Sequence, residues 1–434
     1  MRNLRYLFIV LLATATIAGA QDTTKKYGDI KFSGNLYSFY YYNMTNTQPA
    51  NNSFPQETTE PAALGYNQFD IERMYFTAQS QLSANTAFRL TTDVYRNALF
   101  PASQSAAASY IVRDTSGKVQ KITIPATPSS YFNGLSVRIK YGYFDWKPAS
   151  DLTLRFGLQQ TPWFDLVETA WGYRGVQQTA ADKNKFIASA DLGFSAGWAF
   201  PDKYGSLTAY IFNGQGYTAP EFDRFKDVAV KLEVNPFPGD ESLKGLKIAA
   251  FDYMGSRLLT YAGQIANAGQ SNNPLAYNSM GGMVWYHNDM WSLAVEYDIH
   301  TIGTGVAGTG VQAGQTLVSD STASSTVLSI FGSIKGPGDM KDWALFARLD
   351  MFNPITSTLP ANVTYTASNT KNTFIIAGVS CQVSKGLMLA LDYQGTTFAH
   401  NVLNAFNATG TPATGESGTS ASDARVFLHG IVTF

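Results

Sequence analysis

Five basic side chains stand where they could act together on a charged solute. They occupy alternate positions of successive short segments whose intervening residues are mostly apolar. In a β-strand, alternate residues point to the same face. The sequence therefore predicts one basic wall across neighbouring strands, and the chemistry of such a wall is to attract and orient solutes rather than to break bonds. The five residues are Arg73, Arg89, Arg138, Lys140 and Arg155.

A second set of charged residues takes inward positions on later strands, and this set is mainly acidic. Opposed charges on different walls of one aqueous space would orient dipolar solutes. The alternative, incidental placement of solvated charges, stays open because any polar lumen carries both signs. The acidic set, predicted to lie opposite the basic wall, is Asp191, Glu233, Glu296, Asp298, Asp350 and Asp392, offset by Lys231, Lys247 and Arg348.

The residue types needed for catalysis or metal binding are scattered. No serine–histidine arrangement sits on one predicted strand pair, as a membrane hydrolase would require. Glu296, Asp298 and His300 could ligate a metal, but their spacing is non-specific. The single Cys381 excludes an internal disulfide framework. We therefore expect no enzyme, no cofactor and no metal centre.

The elements that must position the charged residues are strands of alternating polarity. Only 15% of the chain is charged, against about 25% in soluble domains. After the first 20 residues, however, no apolar run approaches the roughly 20 residues of a membrane helix. The sequence therefore predicts an all-β, transmembrane antiparallel barrel of about 16 strands. The expected strand starts are Ile30, Phe69, Ala87, Leu135, Leu152, Asp191, Ser206, Val228, Leu246, Ser279, Trp291, Thr326, Trp343, Thr373, Leu387 and Asp423.

The connections between these segments alternate between long and short. This alternation is typical of long extracellular loops and short periplasmic turns, and a soluble β-sandwich would not produce it. Four tryptophans close to short turns predict an aromatic girdle: Trp146, Trp285, Trp291 and Trp343. The last segment alternates up to Phe434, as the closing strand of an outer-membrane barrel does.

The third long connection, residues 159–190, differs in being rich in aromatic residues. It holds Trp163, Phe164, Trp171 and Tyr173, which an exposed loop seldom carries. We expect it to fold into the barrel and narrow the channel. A surface loop that contacts a neighbouring subunit is the alternative. The charged residues predicted at the constriction are Asp165, Glu168, Arg174, Lys183 and Lys185.

Two further expectations concern the start of the chain and one strand. Residues 1–20 have the charged, apolar and small-residue order of a signal peptide, which leaves a barrel domain at 21–434. On the strand near Leu135, the pattern places Val137, Ile139, Tyr141 and Tyr143 outside the barrel.

Three stretches resemble one family of bacterial porins. The stretch Phe69-Asp70-Ile71-Glu72-Arg73-Met74-Tyr75-Phe76 is similar to the Arg-rich early strand of the phosphate-selective porin O/P-like family. Leu154-Arg155-Phe156-Gly157-Leu158-Gln159-Gln160-Thr161-Pro162 resembles the strand that leads into that family's constriction loop. A third stretch runs from Ile211 to Gly216 and continues at Lys226-Asp227-Val228-Ala229. The resemblance implies a homotrimeric outer-membrane channel with 16 strands.

The expected function is an outer-membrane porin of a Gram-negative-type bacterium, through which small hydrophilic solutes and ions diffuse passively. Its partners would be outer-membrane lipid and those solutes, and nothing indicates nucleic acid. Tyr75 and Thr77 stand where the family has more Arg, so both a general channel and an anion- or phosphate-preferring one stay open. The alternative from another class is an adhesin or structural surface barrel with a closed lumen.

Overall fold

The computed structural model describes residues 27–44, 65, 67–96, 108–113, 119–124, 135–221, 224–257, 275–303, 322–354, 371–399 and 422–434. The predicted signal peptide and most of the long connections lie outside these residues. Each of the 16 predicted strand starts lies within four residues of the first residue of a barrel strand. The predicted fold class is confirmed. The barrel strands are β1 (Ile30–Asn43), β2 (Asn67–Gln81), β3 (Thr86–Arg96), β6 (Leu135–Trp146), β7 (Leu152–Gln160), β8 (Ala190–Ala199), β9 (Gly205–Phe212), β10 (Asp227–Val234), β11 (Leu246–Arg257), β12 (Leu275–His287), β13 (Trp291–Gly303), β14 (Thr322–Lys335), β15 (Trp343–Asn353), β16 (Asn372–Ser384), β17 (Leu387–Phe398) and β18 (Ser422–Thr433).

These strands form one closed antiparallel barrel in which neighbours along the chain pair with each other. Closure pairs β1 with β18, and Phe434 extends this pairing beyond the last strand. The Phe434 N–H donates to the carbonyl of Gly34 at 3.1 Å, and the Gly34 N–H donates to the carbonyl of Phe434 at 2.9 Å. Every barrel strand therefore has a partner on both sides, and the sheet has no open edge.

A hairpin and two α-helices lie in the long connections. A separate two-stranded hairpin, β4 (Ala108–Arg113) and β5 (Val119–Ile124), occupies the second long connection and was not predicted. Helices α1 (Phe164–Trp171) and α2 (Ala180–Lys183) lie between β7 and β8. We call residues 161–189, which contain both helices, the inserted loop. The end of the barrel that carries the short turns and both Ile30 and Phe434 is the short-turn end.

The outer surface of the barrel is apolar, because the alternating positions predicted to face lipid are exposed. In β18, Val426, Leu428 and Val432 point outward, whereas Phe427, His429 and Ile431 point into the interior and are buried. Other exposed apolar residues on the strands include Phe69, Phe76, Val137, Phe156, Val284, Leu293, Leu345 and Leu391. Among the described residues, no helix is both long and apolar enough to cross a membrane.

Two β-bulges interrupt the strand pairing, and the one in β6 changes the predicted faces. The pairing of β3 with β6 slips between Thr91 and Thr92, so that Lys140 is the extra residue on β6. The alternation then reverses, and Tyr141 and Tyr143 point into the interior, where each is less than 9% exposed. The prediction that these two tyrosines face outward was wrong for this reason. The pairing of β1 with β2 slips in the same way at Glu72.

The predicted tryptophan girdle is present in part. Trp146, Trp291 and Trp343 lie near the short-turn end with about half of each side chain exposed, and Trp198 joins them. Trp285 instead points inward, where it is buried and its indole N–H donates to the Ser292 hydroxyl at 3.1 Å. Strand parity decides this difference, because Trp285 shares its face with Met283.

Candidate functional site: a constriction inside the barrel

The inserted loop lies inside the barrel, as its aromatic content predicted. The rings of Trp163 and Trp171 are buried against inward rings of the barrel strands. Trp163 packs on Phe251 with ring centroids 4.5 Å apart, and Trp171 packs edge-on against Phe331 at 5.6 Å. Burial of these rings is the main source of stability for the loop position, since each aromatic side chain removes a large apolar area from water.

Hydrogen bonds fix the loop along its whole length. The Trp163 indole N–H donates to Glu296 Oε1 at 2.7 Å, and Tyr173 shares a hydrogen bond with Ser380 at 3.1 Å. Gln177 Nε2 donates to Gln394 at 3.0 Å. The Ser279 hydroxyl donates to the carbonyl of Phe186 at 2.8 Å. The loop is therefore attached to strands from β12 to β17 and occupies that side of the lumen.

The predicted basic wall is contiguous, because β2, β3, β6 and β7 are neighbours in the barrel. In its half farther from the short turns, Arg73 and Arg138 share one buried carboxylate, Asp93, at 2.8 and 2.9 Å. The Arg138 guanidinium also lies over the rings of Tyr95 at 3.9 Å and Tyr217 at 4.5 Å. These stacked rings hold the side chain in place by cation–π attraction.

The half of the basic wall nearer the short turns carries Lys140, Arg89 and Arg155. Arg155 forms a two-pronged ion pair with Asp145 at 2.6 and 3.0 Å. Lys140 donates to the Tyr75 hydroxyl at 3.2 Å, and Arg89 stacks over Tyr141 at 5.1 Å. Within the described part of the chain, neither Arg89 nor Lys140 has a carboxylate partner. Among the described residues, only Asp93 and Asp145 form ion pairs with the five basic groups, so the wall keeps an excess of positive charge.

Helix α1 presents carboxylates on the side of the loop that faces the basic wall. Its apolar residues Phe164, Leu166, Val167 and Trp171 are buried against the barrel, whereas Asp165 is exposed and Glu168 is partly exposed. Asp165 interacts electrostatically with Arg155 and Lys231, and Glu168 with Lys140. The helix is amphipathic for this reason: one face attaches it to the wall and the other lines the passage.

The five charged residues predicted at the constriction take different places. Arg174 is buried among three carboxylates, Glu72 at 3.0 Å, Glu168 at 3.2 Å and Asp182 at 3.8 Å. Lys183 lies over the Phe374 ring at 2.9 Å, on the barrel side of the loop. Lys185 is exposed and has a positive φ of 57°. Asp165 and Glu168, the two acidic residues of this set, lie on the side of the loop that faces the basic wall.

Burial changes the proton affinities of two loop residues. It raises the pKa of the Glu168 carboxyl, an effect that Arg174 and Lys140 oppose. It lowers the pKa of the Lys183 ammonium to about 7, although Asp350 favours the charged form. The charge of Lys183, on the barrel side of the loop, therefore changes with pH near neutrality.

Two of the acidic residues predicted to lie opposite the basic wall lie elsewhere in the barrel. Asp191 lies on β8, directly beside β7, and accepts hydrogen bonds from the N–H groups of Gly214 and Gly216 at 2.8 and 3.2 Å. Glu233 pairs with Lys231 on its own strand at 2.7 Å. Neither residue is opposite the wall. Strand order around the barrel, which the pattern of a single strand does not contain, decides both positions.

The remaining acidic residues lie buried, beneath the inserted loop or in partnered clusters. Glu296, Asp298 and Asp350 are on the far strands β13 and β15, whereas Asp392 on β17 is as close to the basic wall as Glu233. Glu296 bonds Trp163 and lies beside Asp298. Asp350 forms a two-pronged pair with Arg348 at 2.6 and 2.8 Å. Asp392 lies 2.9 Å from His429. All four carboxylates are at most 3% exposed, so these groups support the loop while α1 supplies the acidic side of the passage.

Sequence reasoning missed three residues of the site. Asp93 lies at an inward position and is fully buried between Arg73 and Arg138, and its parity was available as a signal. Glu72 reaches Arg174 only because of the bulge in β2. Tyr217 comes from the connection after β9, and its phenol accepts from Arg138 at 2.8 Å. No sequence signal pointed to Glu72 or Tyr217. Among the described residues, no cluster of three or more His, Cys, Asp or Glu could hold a metal ion.

Solved structures of outer-membrane proteins resemble this barrel. The outer membrane channel DcaP of Acinetobacter baumannii superimposes with a TM-score of 0.54 at 11% identity, over 94% of this chain and 97% of that one. OmpF of Salmonella typhi gives 0.52 at 10% identity, over 93% and 97%. OmpT of Vibrio cholerae gives 0.52 at 9% identity, over 95% and 100%.

The chain has the fold of an outer-membrane barrel protein. At these identities the likeness concerns the fold alone. The sequence matches no protein-family model and no curated protein, so the resemblance to phosphate-selective porins rests on the residues quoted for it.

Proposed function

We propose that this protein is a porin of the bacterial outer membrane, a water-filled channel through which small hydrophilic solutes and ions diffuse without chemical change. The observation that carries the proposal is the constriction between α1 and the basic wall. Asp165 and Glu168 stand on one side of it and Lys140 and Arg155 on the other. The apolar outer surface of the strands supports a place in the hydrocarbon layer of a membrane. A homotrimer belongs to the proposal, by the family resemblance.

Selectivity would follow from opposed charges rather than from a dedicated binding site. Charges of opposite sign across a narrow space orient dipolar solutes and reduce the net preference for one ion. Among the described residues, Arg89 and Lys140 have no carboxylate within ion-pair distance, which favours a modest preference for anions. Strict phosphate selection is not favoured, because Asp93 and Asp145 already pair with three of the five basic residues.

The alternative, a surface adhesin with a closed lumen, is less compatible with the interior. A closed barrel would bury the charged side chains of the basic wall. Arg155 and Arg138 instead keep 26% and 22% of their side chains exposed. Asp165 is exposed as well.

Single-channel recording in planar bilayers tests the proposal. The purified protein should insert as stepwise increases in current. A variant that lacks residues 175–182 of the inserted loop should give larger steps, because it shortens the segment that fills one side of the lumen. Heat-modifiability on gels serves as the control for a folded barrel. Heat-modifiable, folded protein that produces no current steps would refute the porin. Equal steps in the two proteins would mean that the loop does not limit the flow.

A further inference from the structure

A recess opens beside the constriction, between the inserted loop and the short-turn end of the barrel. It has a volume of about 280 Å³, a little below the roughly 300–1,000 Å³ of pockets for drug-sized ligands. On the loop side it is bounded by Glu168, Gly172, Arg174 and Gly175. The barrel contributes residues of β1 and β16 to β18, which is a different part of the wall from the basic strands. The recess is therefore a side pocket of the lumen, and Glu168 borders both spaces.

The charges around the recess favour a cation. The guanidinium of Arg174 donates to Glu72 through Nη1 at 3.0 Å, and its other two nitrogens lie 3.2 Å from Glu168 and 3.8 Å from Asp182. One buried arginine thus compensates three carboxylates, and Lys140 lies nearby toward the passage. Because these three carboxylates outnumber the two cationic groups, Arg174 and Lys140, the net charge around the recess repels an anionic solute.

Residues with oxygen acceptors, Glu168, Asn35 and Gln382, line the recess. Glu168 uses one carboxylate oxygen for Arg174, and no described residue bonds the other. Asn35 Oδ1 accepts from the Thr433 hydroxyl at 3.0 Å, which leaves this carbonyl a second lone pair. Gln382 donates through Nε2 to the Ser384 carbonyl, so its own carbonyl oxygen is free to accept. Carboxylate and amide oxygens are the partners that an ammonium donor requires.

The rest of the lining is apolar or aromatic. Met388 and Ile431 border the recess together with Tyr37. Tyr37 is buried, and its ring packs edge-on against Tyr75 at 5.9 Å. An aliphatic chain would be sheltered by the methionine and isoleucine, and an ammonium beside a tyrosine ring gains cation–π attraction.

We propose that this recess is a binding site for small organic ammonium ions, with the cationic group at Glu168 and the aliphatic part against Met388 and Ile431. The proposal rests on the proposed porin, because a solute reaches the recess through the lumen. It adds a retention site for one class of solute to a channel whose constriction alone would not distinguish butylammonium from potassium. A solute held at Glu168 would also alter the charge on the acidic side of the passage and interrupt the current.

The test is block of the potassium chloride current in single wild-type channels by n-butylammonium chloride added on both sides. We expect brief, concentration-dependent interruptions. Glu168→Gln should raise the concentration for half-block by about tenfold or more, since it removes a charged acceptor. Met388→Trp should also weaken the block, because the larger ring occupies the recess without changing a charge. Glu241→Gln is the matched control, as Glu241 is 92% exposed at the same end of the barrel and outside the recess.

The outcomes separate this proposal from the porin itself. Absence of current in potassium chloride would refute the porin, whereas normal current without butylammonium block would refute only the recess. Equal loss of block in Glu168→Gln and Glu241→Gln would assign the effect to general surface charge and overturn the site. Block by sodium butyrate at the same concentration would overturn the cationic class. If Glu168→Gln fails to fold, Met388→Trp with unchanged block contradicts the proposal.

Discussion

One of the hydrogen bonds that attach the inserted loop to the barrel can be removed selectively. Trp163 is fully buried, and its indole N–H donates to Glu296 Oε1 at 2.7 Å. Its ring packs on Phe251 at 4.5 Å. The substitution Trp163→Phe keeps an aromatic ring on Phe251 and removes the donor. It therefore leaves an acceptor buried beneath the loop without its partner.

The size of the effect follows from the burial of Glu296. A buried polar group that loses its partner costs about 1–3 kcal/mol. Since every 1.4 kcal/mol is a factor of ten, the ratio of detached to attached loop should rise by roughly 5- to 150-fold. The other attachments, at Tyr173, Gln177 and Phe186, stay in place. We therefore expect fluctuation of the first part of the loop rather than its release.

Single-channel recording at high time resolution measures this fluctuation. Trp163→Phe should visit states of larger conductance more often than the wild type, with the same heat-modifiability. Glu296→Gln is the matched control, because the glutamine carbonyl still accepts from the indole. Its records should resemble those of the wild type. Current traces of Trp163→Phe that are indistinguishable from wild type, in a folded barrel, would show that this hydrogen bond does not hold the loop.

Three further predictions concern closure, charge and pH. Deletion of Phe434 should reduce the heat-modifiable fraction, because it removes two hydrogen bonds to Gly34 and the ring contact with Phe76 at 5.9 Å; an undiminished fraction would contradict this. Arg89→Gln should shift the reversal potential in a potassium chloride gradient toward cations at about 0.01 M salt, where the Debye length is about 30 Å, and little at 1 M. No shift at low salt would exclude Arg89 from the field of the passage. Burial lowers the pKa of Lys183 to about 7 from the ordinary 10.5. Between these two pH values the unfolded chain binds more protons than the folded protein. The free energy of unfolding of the wild type should therefore rise as pH increases from about 7 toward 10.5. Urea unfolding in detergent should show that rise in the wild type and a flatter profile in Lys183→Met, and equal slopes would count against a buried lysine.

The repeated local pattern of the sequence determined the architecture. An alternation with period two requires only the pleat of a strand and an apolar surrounding, so each strand could be recognised by itself. The inward position of Arg73, Arg138 and Arg155 followed from parity in the same way. The insertion of residues 161–189 followed from composition, since Trp163 and Trp171 needed a surface on which to be buried.

Tertiary structure decided the features that the alternation within a single strand does not determine. A bulge adds one residue and reverses the faces beyond it, which placed Tyr141 and Tyr143 inside and brought Glu72 to Arg174. Which wall opposes which depends on strand order around the closed barrel, and this order put Asp191 beside the basic strands. The path of the inserted loop covered Glu296 and Asp298 and left α1 to present Asp165 and Glu168. These positions arise from contacts between residues that are distant in the chain. A local sequence pattern does not predict such contacts.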